Sequence, residues 1–541
     1  MKNTMLLDCT LRDGGFVNDW EFGRDDIVNI FERSASAGTD IIEIGFLDER
    51  REYDPNRTIM PDALSVNKAF SGLYRGDSMI VGMIDFGTCS VERLIPCSES
   101  IMDGIRVIFK KKNRYEALEL CRRIKELGYE VFVQPVSITG YSDEEMLELI
   151  ELVNELSPTA MSMVDTYGLL HEGGLLHYYE LMDGNLDSHI SIGYHAHNNF
   201  QLGYSNSIAL IERNLSRGTR FRRTLVVDGS AFGMGKGAGN APLELLAMYM
   251  NRHELGSYDI NQLLEIIDVS VMNIYLKSPW GYSLKYFLAA SNDCHPNYVQ
   301  HLMQKRTLSV RSINELLSSI EPSEKLAYNA DHIEEIYQAS LRRIRGERGD
   351  LDALAAELGR GPLLIMGPAR SMEDERETIN AIIAQNRPVT LTVNYLPEKY
   401  YTDFIFISNS KRYVSLEGRL EEKRRSGGAL PVLIATSNVT RARGNFDVQV
   451  DYESLLDPSF EFRDSALIML LKLLIRLGIR EVYLAGFDGY TTSPGENYFN
   501  IAMEYAFVKD KAQLLNEYMK SALSKLSGEI DLHFITRTRY V

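Results

Sequence analysis

Two histidines separated by a single residue are the clearest chemical signal in the chain. His195 and His197 lie in the stretch YHAHNN, at the end of an apolar run. Side chains alternate along a β-strand, so both imidazoles of a His-x-His pair face one side, where they can bind one metal ion. Asp13, at the end of the apolar run LLDCTLRD, would add a carboxylate and leave open positions on the metal. The alternative is a pair of surface histidines near a loop.

The types of these side chains indicate which ion they would hold. Two histidines, one aspartate and either Asn240 or a water molecule suit Mn²⁺, Mg²⁺, Co²⁺ or Zn²⁺. No cysteine belongs to the set, which argues against a structural zinc site. Open positions on such an ion can polarise a bound carbonyl group. The pattern therefore predicts a catalytic divalent-metal site.

Other polar residues and glycines stand beside these ligands. Arg12 could stabilise an enolate oxygen; the alternative is an Arg12–Asp13 pair that only orders the loop. Gly14 and Gly15 would let the backbone approach a ligand closely. The glycine run GMGKGAGN (233–240) fits neither a P-loop nor GxGxxG, so alone it is a weak signal. Further candidates at the ends of apolar runs are Glu43 as a catalytic residue and Asp165 and Thr166 as substrate-binding residues.

Alternating β-rich and amphipathic segments fill the first ~250 residues and would position these groups. Eight strands are predicted, at about 5–11, 40–46, 79–86, 104–110, 130–138, 160–166, 190–197 and 224–232. Ser142 and Glu145 form a capping-box pattern at the start of a helix over 141–156. Eight strand–helix units predict a (β/α)8 TIM barrel with chemistry at the carboxyl ends of its strands. A doubly wound open sheet is the alternative.

A second α/β pattern follows the barrel. Residues 258–345 are predicted to be mostly helical, with a linker near 345–361. Strand and helix patterns then alternate again from PLLIMGPARSMEDE, which predicts a doubly wound, Rossmann-like domain. The predicted domains are the barrel at 1–257, a helical extension and linker at 258–350, and the C-terminal α/β domain at 361–541.

Composition limits the functions that are open to the chain. It has 541 residues and a formal net charge of −17, which argues against nucleic-acid binding because phosphate contacts need a basic surface. No apolar run is long enough to span a bilayer, and the start of the chain lacks the apolar core of a signal peptide. The five cysteines form no CxxC motif. We expect a cytoplasmic homo-oligomer that acts on small molecules.

Five motifs in order carry a family resemblance: LLDCTLRDGG, IIEIGF, SMVDTYG, GYHAHNN and GMGKGAGN. Over about residues 1–300 the chain resembles the metal-dependent aldolase/lyase superfamily with an HMG-CoA-lyase-like barrel. That group includes 4-hydroxy-2-oxovalerate aldolases, HMG-CoA lyases, and isopropylmalate and homocitrate synthases. The aldolase branch is the most similar.

The resemblance implies a divalent metal on Asp13, His195 and His197, with Asn240 as an additional ligand. It implies that Arg12 stabilises a pyruvate-type enolate. The implied reaction is cleavage or formation of a carbon–carbon bond in a 4-hydroxy-2-oxo acid, with an aldehyde and a 2-oxo acid as partners. In GYSLKYFLAAS (281–291), it implies a tyrosine near the site, matched here to Tyr282.

Three departures from the family pattern leave alternatives open. The hydroxy-oxovalerate aldolases carry an acid/base histidine shortly after RDG, where this chain reads GGFVND. HMG-CoA lyases have a cysteine in the glycine loop, and the synthases have an RDGEQ-like sequence; this chain has neither. The alternatives are a Claisen-type synthase that uses acyl-CoA and a non-catalytic binding or scaffold protein.

The C-terminal pattern resembles nucleotide- or diphosphate-handling domains. A glycine-containing turn before a helix can bind an anion through free backbone N–H groups; the alternative is an ordinary turn. The resemblance implies a nucleotide or nucleotide sugar as partner, which would make the protein bifunctional. The polar and glycine candidates at the strand ends are Gly367, Arg370, Ser371, Asn409, Lys411, Arg412 and Asp488.

Overall fold

The computed structural model describes most of the chain as two compact units. The described residues are 3–218, 222–305, 308–342, 347–439, 446–457, 463–493, 495–500 and 508–541. The first unit is Met1–Gln300 with Glu321–Tyr328, and the second is His301–Ile320 with Asn329–Val541. The division at 1–257, 258–350 and 361–541 stays a prediction. Within the described segments, no helix has the length and apolar character needed to cross a membrane.

Nine strands form the sheet of the first unit. They are β1 (Thr4–Asp8), β2 (Ile41–Leu47), β3 (Ile59–Met60), β4 (Met79–Asp85), β5 (Gly104–Phe109), β6 (Glu130–Pro135), β7 (Ala160–Asp165), β8 (Ser191–Ala196) and β9 (Leu225–Gly229). Their order is β1-β9-β8-β7-β6-β5-β4-β2-β3, and β1 also pairs with β2. Every pairing is parallel.

The pairing of β1 with both β2 and β9 closes eight of these strands into a barrel, with β3 as a short addition beside β2. An open sheet would leave β1 at an edge, so the predicted TIM barrel is confirmed over the open alternative. Strands buried on both faces read as continuous apolar runs, and all seven residues of β2 are buried. Glu43 is therefore a charged exception in the middle of an apolar strand.

Helices connect the strands and extend the first unit. Up to residue 291 they are α1 (Thr10–Asp13), α2 (Gly15–Asn18), α3 (Arg24–Ser36), α4 (Ala63–Phe70), α5 (Arg114–Glu126), α6 (Asp143–Leu156), α7 (Glu172–Asn185), α8 (Gly203–Ser216), α9 (Leu243–Arg252), α10 (Ile260–Ile266), α11 (Met272–Lys277) and α12 (Leu284–Ser291). The predicted capping box is confirmed: the Ser142 side chain accepts from the Glu145 amide, and the Glu145 carboxylate accepts from the Ser142 amide.

The first strand ends earlier than its sequence predicts. β1 stops at Asp8, whose Oδ1 accepts hydrogen bonds from the Thr10 amide at 2.8 Å and the Thr10 hydroxyl at 2.5 Å. An aspartate that bonds the backbone two residues ahead favours a turn over a strand. The chain then coils into α1, which contains Arg12 and Asp13. These two residues lie on a short helix above the strand end, rather than on the strand itself.

The helices that follow α12 lead into the second unit. They are α13 (Pro296–Met303), α14 (Val310–Ser318), α15 (Ala330–Arg342) and α16 (Leu351–Leu358). The first three agree with the helical prediction over 258–345, whereas α16 lies inside the segment near 345–361 that is predicted as a linker. Residues 345–346 of that segment lie outside the described residues.

The second unit contains a parallel, open sheet. Its strands are β10 (Leu363–Met366), β11 (Val389–Val393), β12 (Phe404–Ile407), β13 (Val432–Thr436), β14 (Val448–Val450), β15 (Glu481–Ala485) and β16 (Asp531–Phe534). Its remaining helices are α17 (Ser371–Asp374), α18 (Arg376–Asn386), α19 (Ser410–Arg425), α20 (Tyr452–Leu455), α21 (Ala466–Arg476) and α22 (Val508–Leu526). The strand order β14-β13-β12-β11-β10-β15-β16 reverses direction between β10 and β15. The predicted doubly wound domain is confirmed.

Candidate metal centre and active site

Three predicted ligands meet at the carboxyl end of the barrel. The ligand atoms of Asp13, His195 and His197 lie within 4.8 Å of one another, and all three residues are buried. His195 Nε2 is 4.0 Å from Asp13 Oδ1, and His197 Nδ1 is 3.9 Å from Asp13 Oδ2. His195 is in β8, His197 follows it, and Asp13 comes from α1. The alternative of two surface histidines does not describe this arrangement.

Unpartnered atoms in this cluster test whether it suits a cation. His195 Nε2, His197 Nδ1 and Asn240 Oδ1 are buried and have no hydrogen-bond partner among the described residues. Leaving buried polar atoms unpaired costs about 1–3 kcal/mol each, so three such atoms beside a carboxylate need an occupant. All three atoms can donate a lone pair, which is the chemistry of metal ligands. The residues present therefore fit a divalent cation.

Asn240 reaches the cluster from the glycine run. Its backbone forms an antiparallel bridge with His197, and its Nδ2 donates to Asp13 Oδ2 at 2.8 Å. The donated bond fixes the orientation of the amide and leaves Oδ1 as the atom without a partner. This geometry agrees with the predicted role of Asn240 as an additional ligand.

A buried ionic network supports the cluster from below. His195 Nδ1 lies 3.0 Å from Asp228 Oδ2, which also accepts from Arg106 Nη2 at 2.6 Å. Arg106 Nη1 lies 3.0 Å from Glu43 Oε1, and Arg12 Nε donates to Glu43 Oε2 at 2.7 Å. A carboxylate at Nδ1 holds the proton there and leaves Nε2 free for a metal.

Sequence reasoning missed Asp228 and Arg106. The signal was present, because each is a charged residue inside an otherwise apolar strand, LVVDG in β9 and GIRVIF in β5. Buried charges are rare unless they are paired. Spacing along the chain could not show which charge pairs with which, since 122 positions separate the two residues.

The charges of the network shift the ionisation of the ligands. Burial raises the pKa of the Asp13 carboxyl, but the charges of Arg12 and the two histidines outweigh burial and hold this pKa well below its usual range. Burial lowers the pKa of His197 to about 3, so its ring is neutral at pH 7. Two buried guanidinium groups, of Arg12 and Arg106, face the three carboxylates of Asp13, Glu43 and Asp228. The net charge of these five groups is −1, and Lys236 is a further positive charge that acts on Asp13.

The glycine run wraps the cluster with its backbone. A Cβ atom on Gly235 would lie 2.5 Å from Asp13 Oδ2 and 2.4 Å from Asn240 Nδ2, so only glycine fits there. The next amide, that of Lys236, donates to Asp13 Oδ2 at 3.1 Å. The run is thus part of the ligand cradle, in addition to supplying Asn240.

Comparisons with known proteins show which family the barrel resembles. Residues 3–270 match the HMGL-like family model. The barrel is an HMGL-like domain. A 4-hydroxy-2-oxovalerate aldolase from Shewanella pealeana is 25% identical over 284 residues, which cover 50% of this chain and 76% of that protein. An oxaloacetate decarboxylase from Mycobacterium tuberculosis is 23% identical over 291 residues, covering 52% and 80%. The crystal structure of an HMG-CoA lyase from Brucella melitensis superimposes with a TM-score of 0.40 and 15% identity, covering 50% of this chain and 98% of that one.

Other predicted residues of the HMGL-like domain contact the protein itself. Asp165 accepts from the Leu169 and Leu170 amides at 2.8 and 3.0 Å, so it shapes the loop after β7. Thr166 Oγ1 accepts from the Ser137 amide at 2.7 Å. A Cβ on Gly14 would lie 2.3 Å from the Thr10 carbonyl oxygen. Glycine is therefore required here because the backbone packs against another part of the chain, and not because it approaches a ligand.

Gly15 and Phe16 form part of an aromatic wall. A Cβ on Gly15 would lie 2.0 Å from the Trp20 ring, and Trp20 Nε1 donates to the Arg12 carbonyl at 2.8 Å. The Phe16 ring packs edge-on against Trp20 at 4.8 Å and Phe46 at 6.1 Å. The position after the glycines therefore contributes an apolar surface and carries no proton donor.

The tyrosine predicted from the resemblance is not placed at the cluster. The Tyr282 side chain is 65% exposed, and no described contact joins it to the ligands. Tyr286, four residues later, packs over the glycine run, where a Cβ on Gly237 would lie 3.6 Å from its ring. The helix α12 begins at Leu284 and turns this second tyrosine inward.

In the second unit, the predicted anion-binding turn is occupied by the protein. The Ser371 amide donates to Asp488 Oδ2 at 2.9 Å, and α17 is only four residues long. A Cβ on Gly367 would lie 2.3 Å from the Gly486 carbonyl oxygen. Position 367 is therefore a glycine because the ends of two strands pack closely there. Arg370 is exposed and lies 3.8 Å from Asp374. The Ser371 amide is therefore not free to bind an anion at this turn.

A cavity of about 220 Å³ lies next to that turn, at the carboxyl ends of β10, β11, β12 and β15. Asn409, Arg412 and Asp488 line it, whereas Gly367, Arg370 and Ser371 do not. Asn409 accepts from the Lys411 and Arg412 amides and so caps α19. In open α/β sheets, ligands bind where the strand order reverses, here between β10 and β15.

Proposed function

We propose that this protein is a divalent-metal-dependent aldolase that cleaves or forms a carbon–carbon bond in a 4-hydroxy-2-oxo acid. The observation that carries the proposal is the buried set of unpartnered ligand atoms on His195, His197 and Asn240, next to the Asp13 carboxylate and the Arg12 guanidinium. The family match and the aldolase and decarboxylase relatives support a carbon–carbon lyase.

Each residue of the cluster has a defined task in this proposal. Asp13, His195, His197 and Asn240 would hold the cation, and His195 is oriented by its contact with Asp228. A divalent cation there would polarise the carbonyl group of a bound 2-oxo acid and favour its enolate. The donor set contains no thiolate and suits Mn²⁺, Mg²⁺, Co²⁺ or Zn²⁺.

Arg12 is placed to stabilise negative charge that develops beside the ligands. Its Nε and Nη1 donate to Glu43 and Asp13, and its Nη2 has no hydrogen-bond partner among the described residues. Burial lowers the pKa of Arg12, but the two carboxylates outweigh burial and raise its pKa above the ordinary value. The guanidinium therefore stays charged, and a charged donor in a dry site stabilises an enolate oxygen strongly.

The test is metal content together with product release. Purified protein loaded with Mn²⁺ is expected to release pyruvate from 4-hydroxy-2-oxo acids. Asp13→Ala and His195→Ala should lose bound metal and activity together. The control is His177→Ala, because His177 is an exposed histidine that contacts only Asp143 and its own neighbour Tyr178 in the described residues. Full metal content in both ligand variants would overturn the site, and thiol release from acyl-CoA without pyruvate release would point to a Claisen-type synthase.

We also propose that the cavity of the second unit binds a nucleotide or nucleotide sugar, which would make the protein bifunctional. Its lining supports this because Arg412 offers a positive charge, Asn409 and Asp488 offer polar contacts, and Tyr490 and Tyr498 offer aromatic surface for a base. The five cysteines are free thiols, which fits the proposed cytoplasmic location. A homo-oligomer is also proposed.

A panel of nucleoside diphosphates and nucleotide sugars tests this part by calorimetry. Binding by the wild type is expected, with loss of affinity in Arg412→Gln. Arg419→Gln is the matched control, because Arg419 lies on the same helix and outside the cavity, 3.3 Å from Glu398. An absence of binding across the panel would refute the proposal.

A further inference from the structure

Three lysines surround the mouth of the barrel site. Lys110 directly follows β5, and Lys236 lies in the glycine run, where its backbone amide contacts Asp13. Lys285 is in α12, next to the Tyr286 that packs over the glycine run. All three therefore lie at the end of the barrel where the strands deliver the metal ligands.

The positive charges of these lysines act on one group, the ring of His295. Burial lowers the pKa of His295 to about 4, and the positive charges of Lys236, Lys110 and Lys285 lower it further. The ring packs edge-on against Tyr167 at 5.5 Å, in the loop after β7. The neighbour of Tyr167, Gly168, approaches the metal cluster, since a Cβ there would lie 2.5 Å from the His197 carbonyl oxygen. His295 thus sits over the mouth beside the loop that borders His197.

The positive charges at this mouth are only partly balanced by carboxylates of the protein. None of the three lysines forms an ion pair or a side-chain hydrogen bond with the described residues, although Lys236 lies over the Phe16 ring and Lys285 over Tyr286. By contrast, Lys111, next to Lys110, pairs with Glu145 at 2.7 Å. Two carboxylates act on these lysines: Asp13 acts on Lys236, and Asp85, the last residue of β4, acts on Lys110 and Lys236. Three ammonium groups therefore meet two carboxylates, and one of these, Asp13, is already bonded to Arg12.

This local excess of positive charge contrasts with the net charge of the whole chain, which is −17. Like charges around one point repel, and a cleft lined by one sign attracts ligands of the other sign. His295 adds a neutral donor: its Nδ1 accepts from the Asn297 amide at 3.1 Å, so the proton of the neutral ring is on Nε2. The mouth combines cations and a hydrogen-bond donor, which is the chemistry that binds phosphate or carboxylate.

We propose that the aldehyde half of the substrate carries an anionic group, a phosphate or a carboxylate, that is bound at the mouth of the barrel by Lys110, Lys236 and Lys285. The 2-oxo acid half would occupy the metal cluster below, and the anion would extend outward from it. This inference rests on the proposed aldolase function for its reaction, but the anion site itself consists of residues outside the metal ligands.

Paired aldehydes test the proposal in the condensation direction with pyruvate. The phosphate arm compares glyceraldehyde 3-phosphate with glyceraldehyde, and the carboxylate arm compares succinic semialdehyde with propionaldehyde. The wild type should prefer the anionic member of at least one pair. Each of Lys110→Gln and Lys285→Gln should lower kcat/KM for that member by about tenfold, the worth of one charged hydrogen bond, and by less than about twofold for its neutral partner.

The matched control removes a positive charge from the same segment. Lys112 is exposed, lies two residues beyond Lys110, and does not act on His295. Lys112→Gln should keep the wild-type preference. A triple variant at positions 110, 236 and 285 that keeps the wild-type preference would overturn the proposal, as would a wild type that prefers the neutral member of both pairs.

A binding measurement separates this inference from the proposed reaction. Calorimetry with metal-loaded full-length protein uses glycerol 3-phosphate and succinate as unreactive anions and glycerol as the neutral reference. Binding of the anions that weakens about tenfold in each lysine variant supports the anion site, even if no aldehyde is turned over. The missing turnover would then refute only the aldolase proposal. Turnover of neutral aldehydes without any lysine-dependent binding would refute only the anion site.

Discussion

The barrel and the second unit both bring polar side chains to the carboxyl ends of parallel strands, but they differ in what those side chains lack. In the barrel, His195 Nε2, His197 Nδ1 and Asn240 Oδ1 are buried without partners. In the second unit, Asp488 accepts from Ser371, and Asn409 caps a helix. Buried atoms without a hydrogen-bond partner indicate the chemistry of the ligand that would bind to them. Groups that already bond to the protein specify little beyond the size and polarity of a cavity.

The two sheets explain this contrast. A closed barrel directs all its strand ends toward one axis, so residues from α1, β8 and the glycine run meet at one point. An open sheet brings its loops together only where the strand order reverses. The ligand of the barrel can therefore be argued from geometry, whereas the ligand of the second unit is inferred from a cavity and its lining.

The largest expected difference between the two regions is in stability. Arg106→Met removes the cation that pairs with both Glu43 and Asp228 and should lower the free energy of unfolding of the first unit by about 3–5 kcal/mol. Arg412→Met, at the half-buried cavity arginine, should cost less than about 1 kcal/mol in the second unit.

Tryptophan fluorescence during urea unfolding measures the first unit selectively, because both tryptophans of the chain, Trp20 and Trp280, lie in it. Circular dichroism follows the whole chain. Arg106→Lys keeps the charge but cannot bridge two carboxylates as a guanidinium does, so its loss should be intermediate. Equal losses for Arg106→Met and Arg412→Met would remove the contrast between the two regions.

The next expected effect is on metal affinity. Asp228→Asn keeps the size of the side chain but removes the charge that orients His195, and should weaken metal binding about 10–100-fold. The matched change in the second unit, Asp488→Asn, should leave metal affinity unchanged. Titration with Mn²⁺ followed by metal analysis measures both variants. Wild-type affinity in Asp228→Asn would show that the network does not tune the cluster.

The smallest effect concerns the strand ends of the second unit. Gly486 has φ +74°, and a Cβ there would lie 2.3 Å from the Gly367 carbonyl. Gly486→Ala should cost about 1–2 kcal/mol for the left-handed backbone alone, without loss of metal. Gly418→Ala, in the exposed middle of α19 with no atom near its Cβ position, should instead stabilise by about 0.5–1 kcal/mol. Thermal unfolding compares the two; a neutral Gly486→Ala would contradict the packing described for this edge.

Local patterns predicted much of the molecule because they act over a few residues. The eight barrel strands, the capping box at Ser142 and the His-x-His spacing all depend on periodicity or on nearby side chains. The end of β1 was harder, because Asp8 bonds the Thr10 backbone and starts a helix inside an apolar run. That competition lies between two local structures of similar energy, and hydrophobicity alone cannot resolve it.

The sequence by itself determined the alternation of strands and helices, the metal-ligand residue types, and the family resemblance of the first half of the chain. Only the tertiary structure decided that β1 closes the barrel, that Asp228 and Arg106 support His195, and that the charges of three lysines act on His295. The physical reason is distance along the chain. Residues separated by tens to hundreds of positions become partners only after the strands have closed, and no local pattern records that pairing.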